Sequence, residues 1–162
     1  MGSGSFVLAH FSDSDKFLPG VEAVAQCSEV EQWNAVDGSV HLIMKLNSPA
    51  IPEQIARIDG VDILTEYAIL ANYRRNTALD RKLCQAYVFV ETEAGKSESV
   101  MKALQEIDAV LFCSTLANGN RFILMLQATG FETIDGIIAG KIRVLDGVVR
   151  LKTNRVIELR GM

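Results

Sequence analysis

The sequence predicts an α+β protein built from two tandem copies of a βαββαβ unit. Three observations carry that expectation: a seven-residue stretch that recurs 87 positions later, two further matches at a spacing of 81, and strand-like and helix-like hydrophobic periods that alternate in the same order in each copy. The stretch is Ile55-Ala56-Arg57-Ile58-Asp59-Gly60-Val61, answered by Ile142-Arg143-Val144-Leu145-Asp146-Gly147-Val148 with five of seven positions identical or conservative. Upstream, Phe6-Val7-Leu8-Ala9 aligns with Tyr87-Val88-Phe89-Val90, and Asp37-Gly38-Ser39 aligns with Asn118-Gly119-Asn120. The second copy therefore holds six extra residues between its glycine turn and its Asp-Gly-Val.

In the second copy, residues 86–92 are β-branched and aromatic and read as a strand. Residues 97–107 place Val100, Met101, Leu104 and Ile107 at helical spacing. Residues 110–116 and 122–126 flank Asn118-Gly119, the dipeptide that supplies the positive φ angles of a tight hairpin. Residues 133–145 carry Ile134, Ile137, Ile138 and Ile142 on one helical face, and residues 148–159 form a last long strand. The first copy repeats the order, with Asp37-Gly38 at its hairpin and shorter helices at 20–28 and 52–58. The common compact solution for this order is the ferredoxin-like split βαβ, with both helices on one face of an antiparallel sheet. Strands that are apolar on both faces, such as Phe122, Leu124 and Leu126 against Ile123 and Met125, need cover on the second face too. The expected arrangement is a pseudo-dimer of the dimeric α+β barrel type, the two sheets packed face to face, with residues 1–71 as the first repeat, 72–85 as a polar linker and 86–162 as the second.

Composition narrows the function. The 162 residues are 49% hydrophobic and 22% charged with a net charge of −4, which suits neither a disordered chain nor a collagen-like one. There is no run of about 20 apolar residues to span a membrane, and no membrane partner is expected. Residues 1–76 carry five basic against ten acidic groups, and only Lys16, Lys45 and Arg57 precede Arg74. Duplex DNA binding relies on Lys and Arg at phosphates, so specific DNA recognition is not expected. The polar stretch from Asn72 to Lys82 reads as a solvated linker rather than a nucleic-acid contact. Cys27, Cys84 and Cys113 form no C-x-x-C pair, which predicts no disulfide framework, no metal centre and a reducing, cytoplasmic setting. The opening Met1-Gly2-Ser3-Gly4-Ser5 lacks the features of a signal peptide and reads as a cloning remnant.

The second copy, from Ala86-Tyr87-Val88-Phe89-Val90 and Gly95-Lys96 through Gly147-Val148 to Thr153, resembles the effector-binding (RAM) domain of the Lrp/AsnC regulators. Members of that family carry a helix-turn-helix, which is not visible in this sequence. The resemblance implies dimerisation through sheets, amino acids or related small molecules as ligands, and a site near the hairpin formed by Gly119, Asn120, Arg121 and Thr153. Where the family places an Asp at the start of the third strand, this chain has Phe122, with Arg121 beside it. That exchange shifts the expected ligand toward a carboxylate-bearing molecule.

Other chemistry is weaker. Gly136, Gly140 and Lys141 lack the spacing and the hydroxyl residue of a phosphate-binding loop, and the glycines are expected to let a helix approach its sheet. His10 and His41 fall on neighbouring strands, where two imidazoles can meet but do not complete a metal site. Cys27, Cys113 and Trp33 read as core or interface residues. His41, Lys45, Arg121 and Gln127 alternate with apolar residues on the third strands, and Glu91 is placed to pair with Arg121 in a bridge between the sheets. His10, His41, Lys45 and Glu91 thus form an alternative, inter-sheet site. The leading expectation is a non-catalytic, cofactor-free effector-binding protein that forms homo-oligomers or joins related regulators. A small monooxygenase or isomerase using the inter-sheet site, and a structural assembly module, are the rivals.

Overall fold

A computed structural model describes residues 4–48, 50–116 and 120–158. The chain divides into two compact units, Met1–Ile69 with Ile157–Met162, and Leu70–Val156. Unit 1 runs β1 (Ser5–Phe11), a 3-10 turn (Ser14–Lys16) into α1 (Phe17–Ala25), β2 (Val30–Asp37), β3 (Leu42–Leu46), α2 (Glu53–Ala56) and β4 (Val61–Arg74), whose last residues belong to unit 2. Unit 2 runs β5 (Cys84–Thr92), α3 (Ser97–Gln105), β6 (Val110–Leu116), β7 (Arg121–Ala128), α4 (Phe131–Ile137) with a π turn (Ile138–Ile142), and β8 (Val148–Ile157). The segment expected as a linker, residues 72–85, thus includes the end of β4 and the start of β5.

Within unit 1 the antiparallel order is β2-β3-β1-β4, and within unit 2 it is β6-β7-β5-β8. Each unit therefore has its first strand in the middle of its sheet, as a split βαβ requires. The registers repeat as well. β1 slips against β4 between His10 and Phe11, and β5 slips against β8 between Glu91 and Thr92, a spacing of 81.

The helix-side cores follow from strand alternation. Val7, Ala9 and Phe11 on β1 meet Val21 and Val24 of α1 and Ile55 of α2, while Val88, Val90, Phe122 and Leu124 meet Val100 and Leu104 of α3 and Ile134 of α4. A fully buried Val, Leu or Ile contributes roughly 1.5 to 3 kcal/mol. The intervening residues Phe6, Leu8, Ile123 and Met125 are buried also.

Several boundaries differ from expectation for local reasons. α1 starts at Phe17 rather than residue 20, because Pro19 sits in the first turn, where its missing N–H costs nothing. The expected helix 133–145 ends as an α-helix at Ile137, and the six extra residues of this copy feed a π turn closed by Arg143 N–H donating to the Ile138 carbonyl at 2.8 Å. Gly136 and Gly140 face open space, so they do not bring that helix close to the sheet. The close approach is at Gly20, where an added Cβ would lie 2.7 Å from the Phe11 ring. Gly60 and Gly147 have positive φ (89° and 102°), and an added Cβ would lie 2.4 Å from the Cβ of Lys16 or Lys96. Those lysines pair with Asp59 (3.1 Å) and Asp146 (2.6 Å), so one Lys-Asp-Gly clasp occurs in each unit. The Asn118-Gly119 turn lies outside the described residues.

Candidate functional site

Unit 2 gathers charge where the ends of three adjacent strands meet. Glu91 on β5 stands opposite Arg121 of β7 on one side and Arg150 of β8 on the other. Arg121 Nη2 lies 3.6 Å from Glu91 Oε1, and Arg150 Nε lies 3.7 Å from Glu91 Oε2. The bridge expected between Glu91 and Arg121 is therefore formed, but across neighbouring strands of one sheet rather than between sheets. Lys152, opposite Phe89, falls on the same sheet face by alternation and is exposed. One carboxylate thus faces two guanidiniums and a nearby ammonium, which leaves a positive surplus. The arginine side chains are 48% and 70% exposed, so these pairs add little stability and leave guanidinium donors open to an incoming anion.

The other expected hairpin residues are placed differently. Thr153 stands opposite Val88, which packs on the helix side, whereas Arg121 stands opposite Glu91 three residues along β5. An odd separation puts Thr153 and Arg121 on opposite faces of the sheet, about 10 Å apart along the strand. Asn120 is engaged in structure. Its carbonyl accepts from Thr92 N–H (2.9 Å) and Thr92 Oγ1 (3.2 Å), and its Oδ1 accepts from Ser97 Oγ (3.0 Å) at the start of α3. Gly119 lies outside the described residues. Gln127 holds down the segment before β5, its Oε1 accepting from Asp80 N–H (2.8 Å) and Gln85 Nε2 (2.9 Å).

Unit 1 brings His10 and His41 together, with ring centroids 4.6 Å apart. His10 Nδ1 lies 2.7 Å from Asp62 Oδ1, and that hydrogen bond lowers the Asp62 pKa. Phe11 N–H donates to His41 Nδ1 at 2.9 Å. Lys45 shares the sheet face of His41 but is four residues away, roughly 13 Å along β3, and pairs with Glu31 at 3.7 Å. Glu91 belongs to the other unit. Asp62, Arg150 and Lys152 are the members of these clusters that the sequence reading missed. Their signal lay in the repeat itself, since all three follow within four residues of the Asp-Gly-Val stretch that begins the fourth strand of each copy. Among the described residues, no group of three His, Cys, Asp or Glu side chains could hold a metal ion, and no helix is long and apolar enough to cross a membrane.

Residues 85–159 match the Lrp/AsnC ligand binding domain. Over that span the chain is similar to the ligand binding domain of this family. The match spans β5 to β8, so Glu91, Arg121, Arg150 and Thr153 all lie within the matched residues. No curated protein matches the chain. Among solved structures, the siroheme decarboxylase NirDL is 13% identical, with 95% of this chain and 71% of that chain covered and a TM-score of 0.71. A putative monooxygenase from Fusobacterium nucleatum subsp. nucleatum is 10% identical, covering 96% and 92%, with a TM-score of 0.59. An uncharacterized ferredoxin fold protein related to antibiotic biosynthesis monooxygenases, from Listeria monocytogenes, is 9% identical, covering 98% and 97%, with a TM-score of 0.54. At these identities the likeness concerns the fold, which is mixed α+β with ferredoxin-fold neighbours.

Proposed function

We propose that the C-terminal unit of the chain is an effector sensor, itself without catalysis, that binds a small, carboxylate-bearing molecule at Arg121 and Arg150. The observation that carries this reading is the single carboxylate of Glu91 between two partly exposed guanidiniums, which favours an anion as the third partner. Asn120 fixes the backbone beside Arg121 through its bonds to Thr92 and Ser97. The repeated strand order and bulge position support a further reading, in which the first unit is a second copy of the same domain and the two form a pseudo-dimer. Burial on both faces of β7 supports the same pairing. Association with further copies or with related regulators would then carry the signal, in a reducing compartment that suits three free cysteines.

Thermal-shift screening of carboxylate metabolites against the wild type, Arg121→Ala and Arg150→Ala tests the site. An effector at a hundred times its Kd stabilises the folded state by about 2.7 kcal/mol, a rise of roughly 5 to 10 °C for a chain of this size. A genuine hit loses most of that rise in either variant. Hits that persist in both variants exclude this site.

A further inference from the structure

We propose that unit 1 carries a proton-transfer site of its own, in which His10 Nε2 takes a proton from a neutral hydroxyketone, Asp62 positions His10, and His41 Nε2–H holds the ketone oxygen. The two imidazoles are close, yet their surroundings give them opposite roles. The ionised Asp62 carboxylate accepts and cannot donate, so the 2.7 Å contact places a hydrogen on His10 Nδ1 and leaves its Nε2 lone pair as a base. Phe11 N–H donates to His41 Nδ1, so the neutral His41 carries its hydrogen on Nε2 and presents a donor. A backbone amide and a carboxylate therefore sort two adjacent, tilted imidazoles into one acceptor and one donor. That combination serves to remove a proton next to a carbonyl while its oxygen gains charge.

The position supports the assignment. His10 is the counterpart of Glu91, since both precede the bulge of the first strand, and Asp62 lies beside Ile63, the residue opposite His10. The place that holds surplus positive charge in unit 2 is thus occupied in unit 1 by a base, a donor and one carboxylate. The Asp62 charge disfavours an anionic substrate, and the neighbouring Lys16 is neutralised by Asp59 at 3.1 Å. The His10 and Asp62 side chains are 36% and 40% exposed, open to a small molecule, and the Phe17 ring lies 6.2 Å from His41 as an apolar wall. In the step, the C–H bond next to the carbonyl breaks and the N–H bond on His10 Nε2 forms. The electron pair moves onto the carbonyl oxygen, within reach of the His41 N–H. Return of the proton from His10 to that oxygen gives the enediol, so the change is an isomerisation that needs no oxidant or co-reactant.

The test uses the full chain with dihydroxyacetone in D2O, following loss of the C–H signal by proton NMR. The wild type is expected to exchange this proton at least about tenfold faster than buffer, and His10→Gln and His41→Phe are expected to return it to the buffer rate. Nitrogen NMR of the histidine rings supplies a readout independent of turnover: His10 in the Nδ1–H form and His41 in the Nε2–H form. Asp62→Asn should mix the His10 forms and slow exchange together, with Asp62→Glu restoring part of both. Exchange at the buffer rate in the folded wild type, unchanged exchange in His10→Gln, or the opposite ring forms would each overturn the proposal. None of these results bears on effector binding at Arg121 and Arg150, which the thermal-shift variants test separately.

Discussion

At Cys113 the protein has enclosed a thiol on the helix side of β6, its Sγ 3.3 Å from Met101 Sδ, and burial pushes its pKa up to about 12. The ordinary value is 9.0, so the unfolded chain sheds this proton at a lower pH than the folded one. Stability from this group is complete below pH 9 and falls as pH rises toward about 12, by roughly 1.4 kcal/mol per unit within that window. Melting between pH 8 and 10.5 is therefore expected to show a steeper loss in the wild type than in Cys113→Ala. A parallel decline in the two proteins would remove the thiol from the account. The inert, apolar setting of Cys113 was legible in its sequence neighbours. The meeting of His10 and His41 was legible too, because both fall on strands that a split βαβ makes adjacent. Asp62 escaped the strand alternation, since the strand that delivers it slips by a residue beside His10, and only its place after the repeated Asp-Gly-Val marked it.

Among the elements, α3 shows how a helix end is completed from outside its own sequence. Its N-cap, Lys96, makes no side-chain capping bond, but Glu98 and Lys102 lie with favourable polarity along it. Its C-terminal carbonyls turn toward Arg75, which donates from Nη2 to Gln105 O (2.5 Å) and Ile107 O (3.0 Å), and from Nε to Val110 O (3.0 Å). The backbone of Arg75 also donates to Leu111 O at 2.9 Å, so one residue ties the end of α3 to the start of β6. Arg75→Ala leaves these part-buried carbonyls without their charged donor and is expected to cost about 2 to 3 kcal/mol in urea unfolding. Amide exchange should rise most at residues 105–111. An unchanged midpoint would mean that water replaces the guanidinium without loss. Strand and helix identities in this unit followed from hydrophobic period, and β6 matches its expected span of 110–116. The π turn and the capping by Arg75 did not, because both depend on chain that is distant in sequence or inserted relative to the first copy.

For the molecule as a whole, the alternation on β7 has consequences beyond its own sheet. Phe122, Leu124 and Leu126 are committed to the helix-side core, yet Ile123 and Met125 are equally buried. Residues 84–162 expressed alone are expected to self-associate or aggregate through that second apolar face. Light scattering that finds a stable soluble monomer would count against the pseudo-dimer reading. The order β6-β7-β5-β8 also bears on synthesis at the ribosome. Its central strand, β5, emerges first and acquires β7 on one edge, but its other edge waits for the last strand of the unit. About 30 further residues must be added between the end of β7 and the end of β8, roughly 2 to 6 seconds of translation. During that interval the nascent chain presents an open backbone edge lined by Tyr87, Val88 and Val90, a template for any extended segment nearby. Translation speed through residues 129–157 thus sets how long each new chain is vulnerable to pairing with its neighbours on a polysome.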